Sequence, residues 1–171
     1  MNFIGRLGEK MKNLEGRNIY VVGTGARKIS QLPIAIKEFI AEGARVYTMM
    51  TNMGMELLDS DHHQLNIQGN KVVMGYSSTG EALPLEDLVL VAPCTFNTLN
   101  KIANGTADSY PLTIVANALG AQREVVVALA MNKGMWSHPI TTESIKKLEK
   151  WGCKVIWPEI TPEKVTMAPS E

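Results

Sequence analysis

An excess of charge of either sign is missing from this chain: 17 basic and 17 acidic residues cancel over 171 positions. Without a net field, nothing in the composition draws it to nucleic acid or to an anionic membrane, and no basic run interleaved with aromatics argues otherwise. Cysteine is almost as scarce. Cys94 and Cys153 are the only two, too few for a disulfide scaffold and suited to a reducing compartment, so a cytoplasmic location is expected. Long apolar runs are absent as well. The longest are of strand length, far below the ~20 residues of a membrane span. The opening residues Met1–Leu7 lack the sustained apolar core of a signal peptide. Histidine is limited to three positions. His62 and His63 adjoin in a polar stretch and read as loop residues, and no Cys/His cluster has zinc spacing, so no metal is expected. With no repeat, low-complexity tract or linker, residues 1–171 are read as one domain.

What is present is a 45% hydrophobic chain, enough for a substantial core. Residues 1–16 carry Phe3, Ile4, Leu7, Met11 and Leu14 near helical spacing. They read as a lead-in helix, packed on its own domain or clamped onto a neighbouring subunit. Asn18–Val22 is a first strand, followed at once by Gly23-Thr24-Gly25-Ala26. Glycines in such a turn let backbone amides approach an anion. The full dinucleotide fingerprint is absent, because Arg27 and Lys28 follow Ala26, so a plain tight turn stays open as the alternative. Gln31 to Ala41 has the helical pattern, with Pro33 near its start and Gly43 past its end. Ala44–Met50 is a second strand, with Thr51 at its carboxyl end. The Thr51 hydroxyl can reach a phosphate held by the first turn or cap the helix predicted over Met53–Leu58. Strand, helix and strand make one parallel crossover unit.

The region from Ser60 to Glu86 is weakly patterned, with a short strand at Lys71–Met74. The strongest signal comes next and comes twice. Leu88–Ala92 is an apolar strand that breaks into Pro93-Cys94-Thr95-Phe96-Asn97-Thr98, then a helix that Gly105 stops. Val125–Leu129 is a second apolar strand, breaking into Ala130-Met131-Asn132-Lys133-Gly134-Met135-Trp136. Between them a helix starts near Pro111. Another follows Pro139 up to Gly152, then a last strand at Cys153–Trp157, and residues 158–171 read as irregular and polar. The expected fold is α/β: a doubly wound, mostly parallel sheet, flavodoxin-like in its three layers. In such sheets the loops at the carboxyl ends of strands line the ligand crevice. Two of them rich in Asn, Thr and Met suit a flat molecule with polar edges.

Those two loops carry a resemblance. Pro93-Cys94-Thr95-Phe96-Asn97-Thr98 resembles the Pro-Ala-Ser-Ala-Asn-Thr motif of the homo-oligomeric flavin-containing cysteine decarboxylases, the phosphopantothenoylcysteine decarboxylase group among them. Ala130-Met131-Asn132-Lys133-Gly134-Met135-Trp136 is similar to their second motif, Pro-x-Met-Asn-x-x-Met-Trp, with Leu129 in place of the proline. The resemblance runs from about Asn18 to Trp157. It implies FMN as cofactor, with Thr24, Gly25, Ala26 and Thr51 at the phosphate and Thr95, Phe96, Asn97, Thr98 and Ala130 along the flavin. It implies that Asn132 takes a substrate carboxylate, with Met131 and Met135 nearby. It also implies assembly as a homotrimer or a dodecamer of trimers, with the cofactor between subunits.

Two departures accompany the match. Counting back from Pro93 to the family's catalytic histidine reaches Thr79, which cannot act as a base near neutral pH as imidazole does. The stretch after the last strand, Glu159 to Ala168, has no counterpart of the flap cysteine found in the pantothenate-pathway members. A second resemblance, over Leu83–Pro93 and Ala107–Ser109, is to the flavoprotein subunit of dipicolinate synthase, which acts with a partner chain. Three functions are expected in this order. The first is an FMN-dependent enzyme acting on a small carboxylate, by decarboxylation or another redox step, with Asn132 and Thr79 in the catalytic positions. The second is a catalytically silent FMN-binding accessory subunit, and the third a flavin prenyltransferase-like enzyme.

Overall fold

The computed structural model describes residues 13–58, 62–76 and 82–167. Most of the lead-in (residues 1–12) and Thr79 lie outside the described residues. Six strands form one parallel sheet: β1 (Asn18–Gly23), β2 (Arg45–Met50), β3 (Asn70–Val72), β4 (Leu88–Cys94), β5 (Glu124–Leu129) and β6 (Lys154–Ile156). Their order across the sheet is β3-β2-β1-β4-β5-β6, so the chain winds outward in both directions from the β1/β4 seam. The register there pairs Ile19 with Leu88 and Val22 with Val91.

A parallel sheet covered on both faces needs strands that are apolar throughout. β4 meets that requirement, with all seven residues of Leu-Val-Leu-Val-Ala-Pro-Cys buried. Alternation along the strands sends side chains to opposite faces. Ile19, Val21, Leu88, Leu90, Val126 and Ala128 pack with helix α1 (Leu32–Ala41), where Phe39 is 1% exposed. Tyr20, Val22, Val89, Val91, Val125 and Val127 pack on the other face. Their partners there come from α3 (Phe96–Ala103), α4 (Tyr110–Gly120) and α6 (Pro139–Lys150). Two shorter helices, α2 (Asn52–Leu57) and α5 (Lys133–Trp136), follow β2 and β5 directly. The three-layer, doubly wound fold is the expected one. No described helix is long and apolar enough to cross a membrane.

The segment after β6 differs from the irregular stretch expected. Pro158 is buried, and β7 (Glu159–Ile160) pairs antiparallel with β8 (Val165–Thr166) in a small hairpin. Strands of two residues carry no readable periodicity. What holds this hairpin is tertiary: Val165 and Met167 are buried, and the Lys133 ammonium donates to the Pro162 carbonyl at 2.6 Å.

Candidate functional site

Every strand-end loop singled out in the sequence opens toward the same crevice, beyond the carboxyl ends of β1, β2, β4 and β5. The crevice is a cavity of about 1250 Å³ whose lining includes Gly25, Ala26, Thr51, Thr95, Phe96, Asn97, Thr98, Ala130, Met131, Asn132 and Met135. In a doubly wound sheet, this end of the strands, where the winding reverses, is where ligands bind.

Hydrogen bonds at the strand ends close the seam beneath it. The Thr24 hydroxyl donates to the Pro93 carbonyl at 2.6 Å and accepts from the Thr95 N–H at 3.3 Å. Thr24 is 1% exposed and is not among the cavity-lining residues, so its side chain joins the β1 and β4 loops. The Thr51 N–H donates to the Gly23 carbonyl at 3.0 Å, and the Ala130 N–H to the Cys94 carbonyl at 2.9 Å. Four neighbouring strand ends are thereby held at one level.

The loops share a second device. Each helix that starts at the cavity is capped by a side-chain oxygen, which satisfies an N–H that the helix itself cannot. Thr51 Oγ1 accepts from Gly54 N–H, Thr95 Oγ1 from Thr98 N–H, and Asn132 Oδ1 from Met135 N–H at 2.9 Å. Thr95 Oγ1 also donates to Thr98 Oγ1. Capping and cavity lining therefore fall on the same residues. For Asn132 the consequence is chemical: with Oδ1 spent on the cap, the exposed side chain offers the ligand its amide N–H groups, which are donors. The Asn97 amide is exposed and makes no hydrogen bond among the described residues.

Glycine is required at two places in this wall. A Cβ on Gly25 would run into the Met53 side chain, and one on Gly54 would lie 2.8 Å from the Gly23 carbonyl oxygen. The β1 turn and the start of α2 thus touch backbone to backbone.

The structure adds residues that the sequence reading left out. Arg27 and Lys28 line the cavity beside the glycine turn, placing two cations at the end proposed for a phosphate. Met50, Met53, Met74 and Met167 join Met131 and Met135 in the lining, a soft, adaptable surface suited to an aromatic ring. Lys101 also lines it, paired with Asp108 at 2.6 Å. The pairs Arg27–Lys28 and Lys101…Asp108 were visible in the sequence, but only the fold brings them to one wall.

No histidine or cysteine lines the cavity among the described residues. His138 caps α6 through Nδ1, which accepts from Ile140 N–H, and its ring stands edge-on to Phe96 with centroids 5.5 Å apart. Cys94 is fully buried, and burial drives its thiol pKa far up. Burial likewise pushes Cys153 up to about 11. Both stay protonated thiols at neutral pH, whereas reactive cysteines need the thiolate.

A crevice of this kind, beside a glycine turn and cationic side chains, lies where doubly wound α/β domains bind their ligands. The chain belongs to the Flavoprotein family, whose pattern matches residues 7–170. It is similar to the coenzyme A biosynthesis bifunctional protein CoaBC of Thermococcus kodakarensis, with 31% identity over 95% of this chain and 41% of that protein. It thus spans about two-fifths of that relative's length. Mouse phosphopantothenoylcysteine decarboxylase is 41% identical over 66 residues, 39% of this chain and 32% of that one. Among solved structures, the FMN binding protein AtHal3 superposes with a TM-score of 0.76 at 22% identity, over 91% of both chains. The peptidyl-cysteine decarboxylase EpiD does so with a TM-score of 0.72 at 22% identity, over 91% of this chain and 94% of its own. The likeness to flavin-containing cysteine decarboxylases read from the two motifs therefore holds at the level of family and fold.

Proposed function

We propose that this protein binds FMN in the cavity and acts there on a small carboxylate-bearing substrate, by decarboxylation or another flavin redox step. The observation that carries the reading is that the glycine turn after β1 and both motif loops, after β4 and β5, open into one cavity. The residues fit the group. Arg27, Lys28 and the turn at Gly25 and Ala26 suit a phosphate, with Thr51 beside them. Phe96, Ala130 and the methionines suit a flat ring, and the free Asn97 amide suits its polar edge. When bound, the flavin supplies the redox chemistry that these side chains cannot. The chain's own part is to fix the phosphate, exclude water with Phe96, Met131 and Met135, and orient the substrate. The Asn132 amide donates to the substrate carboxylate, a charged hydrogen bond stronger than a neutral one.

Isothermal calorimetry on the purified protein tests this. FMN should bind about tenfold to a hundredfold more tightly than riboflavin, the scale of losing charged phosphate contacts, and the loaded protein should be yellow. A colourless preparation that gives no heat with FMN would remove the assignment.

A second reading has its own support, since no histidine or cysteine lines the cavity among the described residues. In that reading the protein is a catalytically silent FMN-binding subunit, in a homotrimer or dodecamer or beside a partner chain. FMN-loaded protein should then release no carbon dioxide from phosphopantothenoylcysteine. Release at an ordinary enzymic rate, about 1 to 1000 per second, excludes this second reading.

A further inference from the structure

All four tyrosines of the chain lie in one neighbourhood, around the β1–β2 pair, the turn after β3 and the start of α4. Tyr20 and Tyr47 meet tilted at 45° with centroids 5.2 Å apart, and Tyr76 meets Tyr110 edge-on at 4.6 Å and 79°. Tyr20 is spent on the fold: its hydroxyl donates to the Pro84 carbonyl at 2.6 Å. Tyr110 differs. It lines the cavity, and its hydroxyl makes no hydrogen bond to a described residue.

The position is rigid. Tyr110 is the first residue of α4, after the Ser109 cap and before Pro111, and its ring packs against the core of that face. The other donors of the lining are of different kinds: the Asn97 and Asn132 amides belong to the motif loops, and on the wall of Tyr110 the nearby side chains are partly engaged. Lys101 and Asp108 are paired, Thr95 donates to Thr98, and the cations Arg27 and Lys28 stand at the glycine turn.

We propose that Tyr110 is a ligand-facing hydrogen-bond donor of this cavity, its phenol O–H directed to an oxygen or sulfur anion of the substrate. This rests on the reading of the cavity as a flavin and carboxylate site. It gives the cavity a neutral O–H donor, although the family's histidine position holds Thr79. The charged and titratable groups around it are Tyr76 from the turn after β3, Tyr20 with nearby Glu86 from below, and the Lys101–Asp108 pair on the same wall. Burial, then the neighbouring Tyr76, raises the Tyr110 pKa above its ordinary value of 10.0. The phenol therefore keeps its proton throughout the neutral range.

Tyr110→Phe keeps the ring and its contact with Tyr76 and removes only the hydroxyl. The probe is benzoate, a flat carboxylate, titrated onto FMN-loaded wild type and variant. Thermal melts and FMN affinities should coincide, and benzoate should bind the variant about tenfold to a hundredfold more weakly. That ratio should close toward one as the pH rises through ionisation of the phenol, which a merely structural tyrosine would not produce. In protein labelled with carbon-13 at the tyrosine Cζ, the resonance lost in the variant identifies Tyr110, and benzoate should shift it. Equal benzoate affinities, no benzoate binding to loaded wild type, or an unmoved resonance each overturn the proposal. A wild type that takes up no FMN sinks the flavin reading instead. The same comparison on flavin-free protein then decides the role of Tyr110 alone.

Discussion

An Asn132→Asp variant will fold, hold its flavin and lose its anionic ligand. Asn132 has one observed job and one proposed, and this change separates them. Its Oδ1 caps α5 by accepting the Met135 N–H, and aspartate caps a helix as well as asparagine does. The exposed amide N–H groups are replaced by a carboxylate oxygen, so a donor becomes a negative charge facing the ligand's own. Like charges in a partly dry cleft repel strongly. Loss of a charged hydrogen bond together with that repulsion should weaken carboxylate binding by about one to three orders of magnitude. Melting temperature and flavin spectrum are measured beside a carboxylate titration. A variant that unfolds or loses its flavin would show that the Asn132 amide supports the fold, and unchanged affinity would place the anion elsewhere.

The largest effect on stability is expected from Gly54→Val. Helix propensity alone predicts a gain, because glycine inside a helix costs up to about 1 kcal/mol. The contact decides otherwise. A Cβ on Gly54 would sit 2.8 Å from the Gly23 carbonyl oxygen and 3.2 Å from its carbonyl carbon, and backbone cannot swing aside as a long side chain can. Separating α2 from the end of β1 should cost about 2–3 kcal/mol net. In a domain of this size that lowers the melting temperature by about 4–12 °C. FMN affinity should fall with it, because Thr51 and the glycine turn are displaced together. A valine variant as stable as the parent would mean that α2 can shift freely against β1.

Most of the sheet was readable because its strands are buried on both faces, which leaves unbroken apolar runs such as Leu88–Ala92 and Val125–Leu129. The helices announced themselves through Pro33, Pro111 and Pro139 at their starts. The β7–β8 hairpin was not readable, since nothing in Glu159-Ile160 or Val165-Thr166 forecasts pairing, and its tie to Lys133 exists only once α5 is in place. At the site, the loops were legible as loops, but the use of each oxygen was not. Thr24 and Thr51 look alike in sequence. Only tertiary geometry sends the first hydroxyl into the β4 loop and leaves the second at the cavity. Of the six lining methionines, Met131 and Met135 were readable from their motif, and the other four were not, since only the fold gathers Met50, Met53, Met74 and Met167 to the cavity.

The strand lengths carry a consequence for how the molecule opens. β4, at the seam, has seven residues and β1 six, whereas the outermost strands β3 and β6 have three each. Local opening has a free energy of its own in each part of a protein, lowest where few buried contacts hold the backbone. Amide protons should therefore exchange with solvent fastest at the two edges and slowest along β1 and β4. The floor of the cleft rests on the slowest-exchanging pair, while part of its rim, at Met74 and Val165, belongs to the margins of the fold. Fraying of the rim should then leave the seam that aligns the strand-end loops closed.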